Sequence, residues 1–308
     1  MATVNPALDE LGTTEPLAVA EPRLLHRALV SLWHDPVALI SLLVVVALAL
    51  VAILAPYFSP YNPNHIFLNG LSADGAPIHP DGTFLLGTDP NGRDVLSRLI
   101  YGDRVSLLVG VVATGLASVI GVIVGAIAGY VGGIVESILM RLTDVVLSFP
   151  ILLFCIALIT VTGPSTRNVV LVIAFGYWTY LARIVRSLVL SLKEREFVTA
   201  ARTLGVGHVK ILRRHILPHL VPTIIVYSTL GIATSILIEA SLSYLGIGVP
   251  VPEASWGQMI SQGQQYFQIA PWLLIAPGIA LIITVLAFNL AGDWLTDLLD
   301  PVTTEIGR

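Results

Sequence analysis

Six long apolar segments constrain the fold of this 308-residue chain more than any other feature. A helix needs about 20 apolar residues to cross the hydrocarbon core of a bilayer. The helix is favoured there because its backbone N–H and C=O groups bond to each other within the segment. The predicted spans cover approximately residues 37–55, 105–130, 143–162, 169–190, 220–244 and 272–291. The sequence therefore predicts an all-α integral membrane protein with six transmembrane helices.

The composition agrees with a membrane protein. Apolar residues make up 55% of the chain and charged residues 12%, and the mean hydropathy of +0.85 lies outside the range of ordinary soluble domains. The first apolar run starts near residue 37 and is too long for the apolar core of a cleaved signal peptide, so we expect a span. Cys155, the single cysteine, lies in an apolar run and is expected to be a packed small side chain.

The distribution of lysine and arginine predicts the orientation, because basic residues stay preferentially on the cytoplasmic side of a membrane. With both termini in the cytoplasm, the outer segments hold only Arg93, Arg98, Arg104 and Arg167. The loop over residues 191–218 is then cytoplasmic. We expect four parts, namely a cytoplasmic tail (1–30), the first span with an external insertion (31–104), a five-helix core (105–292) and a cytoplasmic tail (293–308).

The polar insertion after the first span is predicted to end in a short helix. Asp89 is the predicted N-cap, Pro90 the first helical residue and Gly102 the residue that ends the helix. Apolar residues recur on one side of this segment, opposite its charged residues. We therefore expect an amphipathic helix that lies against the membrane surface or the helix bundle.

Residues 196–222 form the most polar long stretch in the second half of the chain and carry a basic cluster. A short helix is predicted over 196–204, and Gly205 offers the left-handed conformation that ends many helices. A second, basic amphipathic piece follows, and Pro218 and Pro222 are expected to interrupt regular hydrogen bonding before the next span. From the residues alone two interpretations stay open, namely contact with anionic lipid head groups and docking of a cytoplasmic partner.

Four ordered motifs resemble a known family. "TAARTLG" at 199–205, followed by "HILP" at 215–218, resembles the EAA loop of ABC-importer permeases. The other motifs are "LLGTDPNGRDVLSRLIYGDRVSL" at 85–107, "EASLSYLGIGVPVPEASWGQMI" at 239–260 and "PWLLIAPGIALIITVLAFNLAGDWLTDLLDP" at 271–301. From about residue 30 to 301 the chain resembles the C-type permease subunit of dipeptide and oligopeptide importers. Thr199 stands where the EAA triplet has an acidic residue, and His215 where the general pattern has Ile.

This resemblance implies the type I ABC-importer permease fold, with an extracytoplasmic insertion between helices 1 and 2. It implies a place in the bacterial inner membrane, in contact with lipid, beside a homologous B-type permease that completes the translocation path. The other implied partners are two cytoplasmic ABC ATPase subunits, an extracytoplasmic substrate-binding protein and a peptide substrate, and nucleic acid is not among them. Uptake of di- or oligopeptides is the main interpretation, although close relatives in such families import nickel chelates or glutathione.

The resemblance also implies two sets of site residues. The residues expected to couple the loop to an ATPase are Glu196, Thr199, Ala200, Ala201, Arg202, Gly205, Leu217 and Pro218. On the outer side, the segments 85–104 and 246–268 are expected to shape a gate or a dock for the binding protein. The candidate residues there are Asp89, Gly92, Arg93, Asp94, Glu239 and Trp256.

The sequence predicts no enzyme active site. A phosphate-binding loop needs a Gly-rich turn that ends in Gly-Lys-Ser/Thr. The only lysines, Lys193 and Lys210, precede Glu and Ile instead. We expect no catalytic, cofactor or metal site in this chain, so ATP and Mg²⁺ would be bound by the partner ATPases.

Other classes of protein were weighed against this interpretation. A proton-coupled secondary transporter is the main rival, because intramembrane ionisable residues mark ion pathways. Glu239 is its candidate residue, but we expect an interfacial carboxylate there. His215 and His219 have no third metal ligand nearby. Intramembrane proteases are disfavoured because the chain lacks GxGD, YD and G-x-S-x-G patterns.

Overall fold

The computed structural model describes residues 31–299, and the regular structure in this range is α-helical. No β-strand occurs in it, and strand-like pairing is limited to isolated bridges of Leu71 with Pro77 and of Thr88 with Asp94. The predicted tail 1–30 and the last part of the second predicted tail, 300–308, lie outside the described residues. The helices are α1 (Pro36–Ile53), α2 (Ala55–Phe58), α3 (Val95–Val131), α4 (Gly133–Leu147), α5 (Ile151–Thr162), α6 (Thr166–Lys193), α7 (Glu196–Thr203), α8 (His208–Ile211), a π-helical turn (Leu212–Ile216), α9 (Leu217–Tyr244), α10 (Trp256–Gln264) and α11 (Trp272–Leu299).

Within residues 31–299, five continuous helical stretches are long and apolar enough to cross a membrane, and there are six if the bent pair of α4 and α5 is counted as one broken span. These two helices meet at an angle of 87°. The prediction of one regular span over 143–162 is therefore wrong. Pro150, which precedes α5, has no amide hydrogen, and Phe149 disfavours the helical conformation because it precedes a proline.

α3 is longer than the span predicted at 105–130, with 37 residues and a length of about 55 Å. The prediction of a separate amphipathic helix before that span is wrong, because the same residues form the beginning of α3. Asp94, not Asp89, is the N-cap, and its carboxylate accepts a hydrogen bond from Ser97 N at 2.7 Å. Gly102 does not end the helix. It makes room for the indole of Trp256, which would lie 3.0 Å from a Cβ at that position.

Glycines spaced by four residues bring α3 into close contact with α6. A Cβ added at Gly121, Gly125 or Gly129 would lie 2.4 to 2.8 Å from a backbone carbonyl oxygen of α6. At Gly125 that atom is the Ala182 oxygen, at 2.4 Å. Small residues at this spacing let the backbones of two membrane helices approach. The close approach predicted from the glycines of the second span is confirmed.

Hydroxyl groups join α3 to α9. Thr114 pairs with Ser235 at 2.9 Å, and Ser118 pairs with Ser228 at 2.8 Å. Away from water, a hydroxyl needs a partner, so these pairs fix how the two helices face each other. Cys155, as predicted, is a buried side chain in the apolar core between α5 and α6.

Large apolar side chains cover the outside of the bundle. Exposed positions include Val46, Leu50, Ile123 and Ile138, at 47% to 62% of their full exposure. An apolar outer surface of this extent is typical of helices that face lipid. α11 runs on to Leu299, beyond the end predicted near residue 291.

Candidate functional site

The loop expected to contact an ATPase contains α7, whose end is well defined. Gly205 N donates to Arg202 O at 2.9 Å, and Val206 N donates to Ala201 O at 3.1 Å. Gly205 has a φ of +75°, in the left-handed region that residues with a Cβ rarely adopt. These bonds satisfy carbonyl groups that have no partner within the helix. The helix end predicted at Gly205 is confirmed.

One face of α7 packs against the chain and the other is exposed. Val198 and Ala201 are buried, and they pack in a cluster with Val189, Ile211 and Ile216. The exposed candidate residues of the loop are Glu196, Thr199, Ala200, Arg202 and Gly205. Ala200 and Ala201 were expected to offer a small face to a partner, but only Ala200 is available, because Ala201 is 6% exposed and packs inside the chain.

Tyr130, at the end of α3 that meets this loop, joins the loop to the bundle. Its hydroxyl lies 3.0 Å from Nδ1 of His208. The guanidinium carbon of Arg202 lies 5.8 Å from the centre of its ring, within range of a cation–π interaction. Sequence reasoning missed Tyr130. Tyrosines are common near the ends of membrane spans. The position of Tyr130 in the sequence therefore does not indicate that it contacts the loop.

Two further contacts hold the loop in place. The rings of Phe197 in α7 and His219 in α9 lie 5.2 Å apart. Lys193, the last residue of α6, donates to Gly129 O at 3.0 Å. α7 is therefore attached to α3, α6 and α9 and is expected to move together with them.

The chain returns to the bundle without the interruption that Pro218 and Pro222 predicted. α9 includes both prolines, and the π-helical turn lies directly before it. Pro218 has no amide hydrogen for the Arg214 carbonyl, and its ring crowds that carbonyl. The wider π turn accommodates this mismatch within a continuous helix. Leu217 is half-buried and Pro218 is exposed.

Asp89, a candidate gate residue, organises a tight turn in the insertion. Its carboxylate accepts hydrogen bonds from Asn91 N at 2.8 Å and Arg93 N at 3.0 Å, and it forms an ion pair with Arg93 Nε at 2.7 Å. Gly92, with a φ of +75°, closes the turn. The N-cap role predicted for Asp89 is therefore wrong, since its acceptor oxygens serve this turn.

Arg98 and Trp256 connect the insertion, the start of α3 and α10. Arg98 is fully buried, with Nε 3.4 Å from the Asp89 carboxylate and Nη2 3.5 Å from the Gln258 side-chain oxygen. Trp256 is 1% exposed and donates from Nε1 to Leu99 O at 3.1 Å. These contacts hold the 246–268 segment against the N-terminal end of α3.

Glu239 is fully buried in the protein, and its expected place near the membrane interface stays a prediction. Its two oxygens accept hydrogen bonds from Ser106 Oγ of α3 at 2.9 Å and from Ser243 Oγ at 2.7 Å. Ser243 Oγ in turn accepts from Val249 N at 3.1 Å. Glu239 therefore links α9 both to α3 and to the loop that follows α9.

The candidate gate residues are all buried. The exposed fractions of Asp89, Arg93, Asp94, Glu239 and Trp256 lie between 0% and 7%, and Gly92 is also buried. They lie inside the end of the bundle where α3 begins, and a partner that docked at this end would contact their exposed neighbours. Sequence reasoning missed Asp103, which is 2% exposed and has no hydrogen-bond partner among residues 31–299.

The described residues do not support a metal site. Within residues 31–299, no group of three or more His, Cys, Asp or Glu side chains is arranged to hold a metal ion. His219 packs against the ring of Phe197.

A bundle of apolar helices, closely packed through glycines and hydroxyls and bearing a short helix on a polar loop, is the architecture of an integral membrane protein. The solved structure of the MetNI methionine ABC transporter, in inward-facing conformations, has a similar chain, with a TM-score of 0.55 at 20% identity. The match covers 67% of this chain and 97% of that one. This likeness shows the fold of a type I ABC-importer permease.

Sequence comparison identifies the family. Residues 121–305 match the family described as "binding-protein-dependent transport system inner membrane component", and residues 23–75 match the "N-terminal TM domain of oligopeptide transport permease C". The chain belongs to this family of binding-protein-dependent transport permeases.

Curated relatives match along most of their length. The dipeptide transport system permease protein DppC of Escherichia coli is 43% identical, over 87% of this chain and 91% of that protein. The oligopeptide transport system permease protein OppC of Bacillus subtilis is 39% identical, over 96% of both chains. The nickel transport system permease protein NikC of Escherichia coli is 40% identical, over 85% of this chain and 93% of that protein.

Proposed function

We propose that this chain is one permease subunit of an ATP-driven importer of di- or oligopeptides and forms half of its translocation path. The peptide cargo is supported by the similarity to dipeptide and oligopeptide permeases. The coupling role rests on one observation above all, namely that α7 is packed on one side and exposed on the other. An exposed short helix held rigidly by the bundle is suited to docking on another subunit.

The proposed assembly contains four further subunits and uses ATP and Mg²⁺ outside this chain. A homologous B-type permease completes the path, two cytoplasmic ATPases bind ATP and Mg²⁺, and an extracytoplasmic binding protein delivers the peptide. The chain lies in the bacterial inner membrane with both termini in the cytoplasm, so that the 191–218 loop faces the ATPases. The parts proposed from the sequence keep their boundaries in this assembly, apart from α3, which begins at Val95, and α11, which extends to Leu299.

In the proposed mechanism, closure of the ATPases on ATP moves α7, and the bundle moves with it. Tyr130 transmits this movement to α3 through its contacts with Arg202 and His208. At the opposite end, α3 is bonded to Glu239 through Ser106. The docking helix has to interact differently with the two ATPase states, because otherwise ATP shifts no equilibrium in the permease.

The docking residues in this proposal are those exposed on α7. Glu196, Thr199 and Ala200 contact the ATPase directly, and Arg202 contributes charge at the edge of the contact. Ala201 and Gly205 act by shaping the helix, since one is buried and the other ends it. Leu217 and Pro218 belong to the return to the membrane.

A nickel-chelate importer is the second candidate function, and the observation that favours it is the 40% identity to NikC. The two candidates share the coupling mechanism and differ in cargo. A proton-coupled transporter is less well supported, because both oxygens of Glu239 are held by serine hydroxyls.

The test is peptide-stimulated ATP hydrolysis by the complex that co-purifies with this chain, reconstituted with its binding protein in lipid. We expect Ala200→Trp to abolish most of the stimulation, because the bulky ring occupies the exposed face of α7. Thr160→Trp, at an exposed position in α5 outside the 191–218 loop, is the matched control and should keep it. The proposal fails if no ATPase co-purifies or if peptide transport continues without ATP.

A further inference from the structure

The basic residues after α7 lie on a different surface from the docking face. Lys210, Arg213, Arg214 and Pro218 are exposed and line a surface cavity of about 370 Å³. The opposite side of the same helical segment, with Ile211, Ile216 and Leu220, is fully buried in the bundle. Since that buried side fixes the segment, its basic side has a defined orientation.

The three cations of this cavity have no acidic partner within residues 31–299. The ion pairs in that range involve Arg93, Arg98, Arg183 and Arg186. The side chains of Lys210, Arg213 and Arg214 form none of them and no side-chain hydrogen bond there. Three adjacent positive charges repel each other, and an anion bound in the cavity would offset this electrostatic repulsion.

The surface beyond the cavity is apolar. Val221 and Ile225 lie three and seven residues after Pro218, which places them along the same side of α9. They are 48% and 46% exposed. A cationic cavity at the entrance of a span, followed by exposed aliphatic side chains deeper in it, matches a phospholipid from its head group to its acyl chains. A free phosphate or nucleotide has no counterpart for the aliphatic part.

We propose that Lys210, Arg213 and Arg214 bind the phosphate of an anionic phospholipid in the cytoplasmic leaflet. Val221 and Ile225 contact its acyl chain, and the long basic side chains reach to the level of the head group. In this proposal the polar loop has two contact surfaces. The exposed face of α7 contacts an ATPase, and the basic cavity contacts lipid. The assignment of this site to the cytoplasmic leaflet rests on the orientation given under the proposed function. Lipid binding itself depends on neither the cargo nor the ATPase.

Native mass spectrometry on the detergent-purified full-length chain, with its co-purifying subunits, tests this proposal. The probes are dioleoyl phosphatidylglycerol, the zwitterionic dioleoyl phosphatidylcholine and, in a third arm, inorganic phosphate as a competitor. We expect preferential binding of phosphatidylglycerol. In the triple variant Lys210→Gln, Arg213→Gln, Arg214→Gln this affinity should fall on the order of a hundredfold, about fivefold per cation.

Two matched variants separate the site from general charge and from folding. Arg167→Gln removes one exposed positive charge at the predicted outer side and should leave phosphatidylglycerol binding unchanged. Arg213→Lys with Arg214→Lys keeps the charge and should retain most of the binding. Because the substituted side chains are exposed, the triple variant should melt at the wild-type temperature.

Several outcomes overturn the proposal. Unchanged phosphatidylglycerol binding in the triple variant shows that the cavity is not the site. Full competition by inorganic phosphate shows an anion site without lipid specificity. Loss of a co-purifying subunit with unchanged lipid binding assigns the cations to a protein contact. The proposed function is tested separately, by peptide-stimulated hydrolysis in the wild-type complex, so failure of the lipid proposal and failure of the proposed function are distinguishable.

Discussion

At the scale of single residues, a few side chains connect the proposed docking helix to the rest of the molecule. Tyr130 contacts α7 through Arg202 and contacts the start of α8 through His208. Glu239 and Trp256 make comparable connections at the other end of α3. Each connection consists of one or two hydrogen bonds, each of about 1 kcal/mol, and at Tyr130 a cation–π contact with Arg202 is added. Single substitutions at these positions should therefore weaken coupling while leaving the fold intact.

We expect Tyr130→Phe to lower the ratio of peptide-stimulated to basal ATP hydrolysis about two- to fivefold, because one hydrogen bond to His208 is lost. Tyr130→Ala should lower it further, since the contact with Arg202 is lost as well. Tyr57→Phe is the control, because Tyr57 is 86% exposed. Equal ratios in wild type and both Tyr130 variants would contradict the role given to this residue.

At the scale of secondary-structure elements, local pattern predicts some features and tertiary contacts decide others. The spans follow from apolar length, and the end of α7 follows from Gly205, whose conformation is a local property. Asp89 and Asp94 are both plausible N-caps by sequence. The choice of Asp94 depends on the turn and ion pairs that Asp89 makes with Arg93 and Arg98.

Burial was the least predictable property of the residues at the candidate site. Glu239, Asp103 and Ala201 are buried because of how helices from distant parts of the sequence meet. No spacing rule within one helix identifies which of its faces meets a neighbour. For the same reason, the sequence did not show that the candidate gate residues lie in the interior of the bundle.

The contact between α3 and α6 gives a prediction at this scale. Gly125→Ala should destabilise the protein by about 1 to 3 kcal/mol, because the added Cβ would overlap the Ala182 carbonyl. Gly115→Ala is the matched control, since a Cβ there has no atom within 4 Å. It should be neutral or slightly stabilising, as alanine favours helices over glycine. Thermal melting in detergent measures both, and equal melting temperatures would contradict the close packing.

At the scale of the whole molecule, α3 connects the two functional ends of the proposed transporter. One end meets the loop that carries α7, and the other meets the insertion and the 246–268 segment. The bundle between them is held by glycine contacts and hydroxyl pairs, which favour movement of the helices as a unit. A docked ATPase would therefore affect the outer end of the permease without a separate moving part in the chain.

Site-specific cross-linking tests the central claim, that α7 docks on a separate ATPase. Cys155, the single native cysteine, is buried, so Ala200→Cys introduces an accessible thiol on the exposed face of α7. In membranes that contain the assembled transporter, a short bifunctional reagent should join this cysteine to an ATPase subunit. Thr160→Cys, exposed near the predicted outer end of α5, should give no such product. No cross-link from position 200, or equal cross-linking from both positions, would contradict the account.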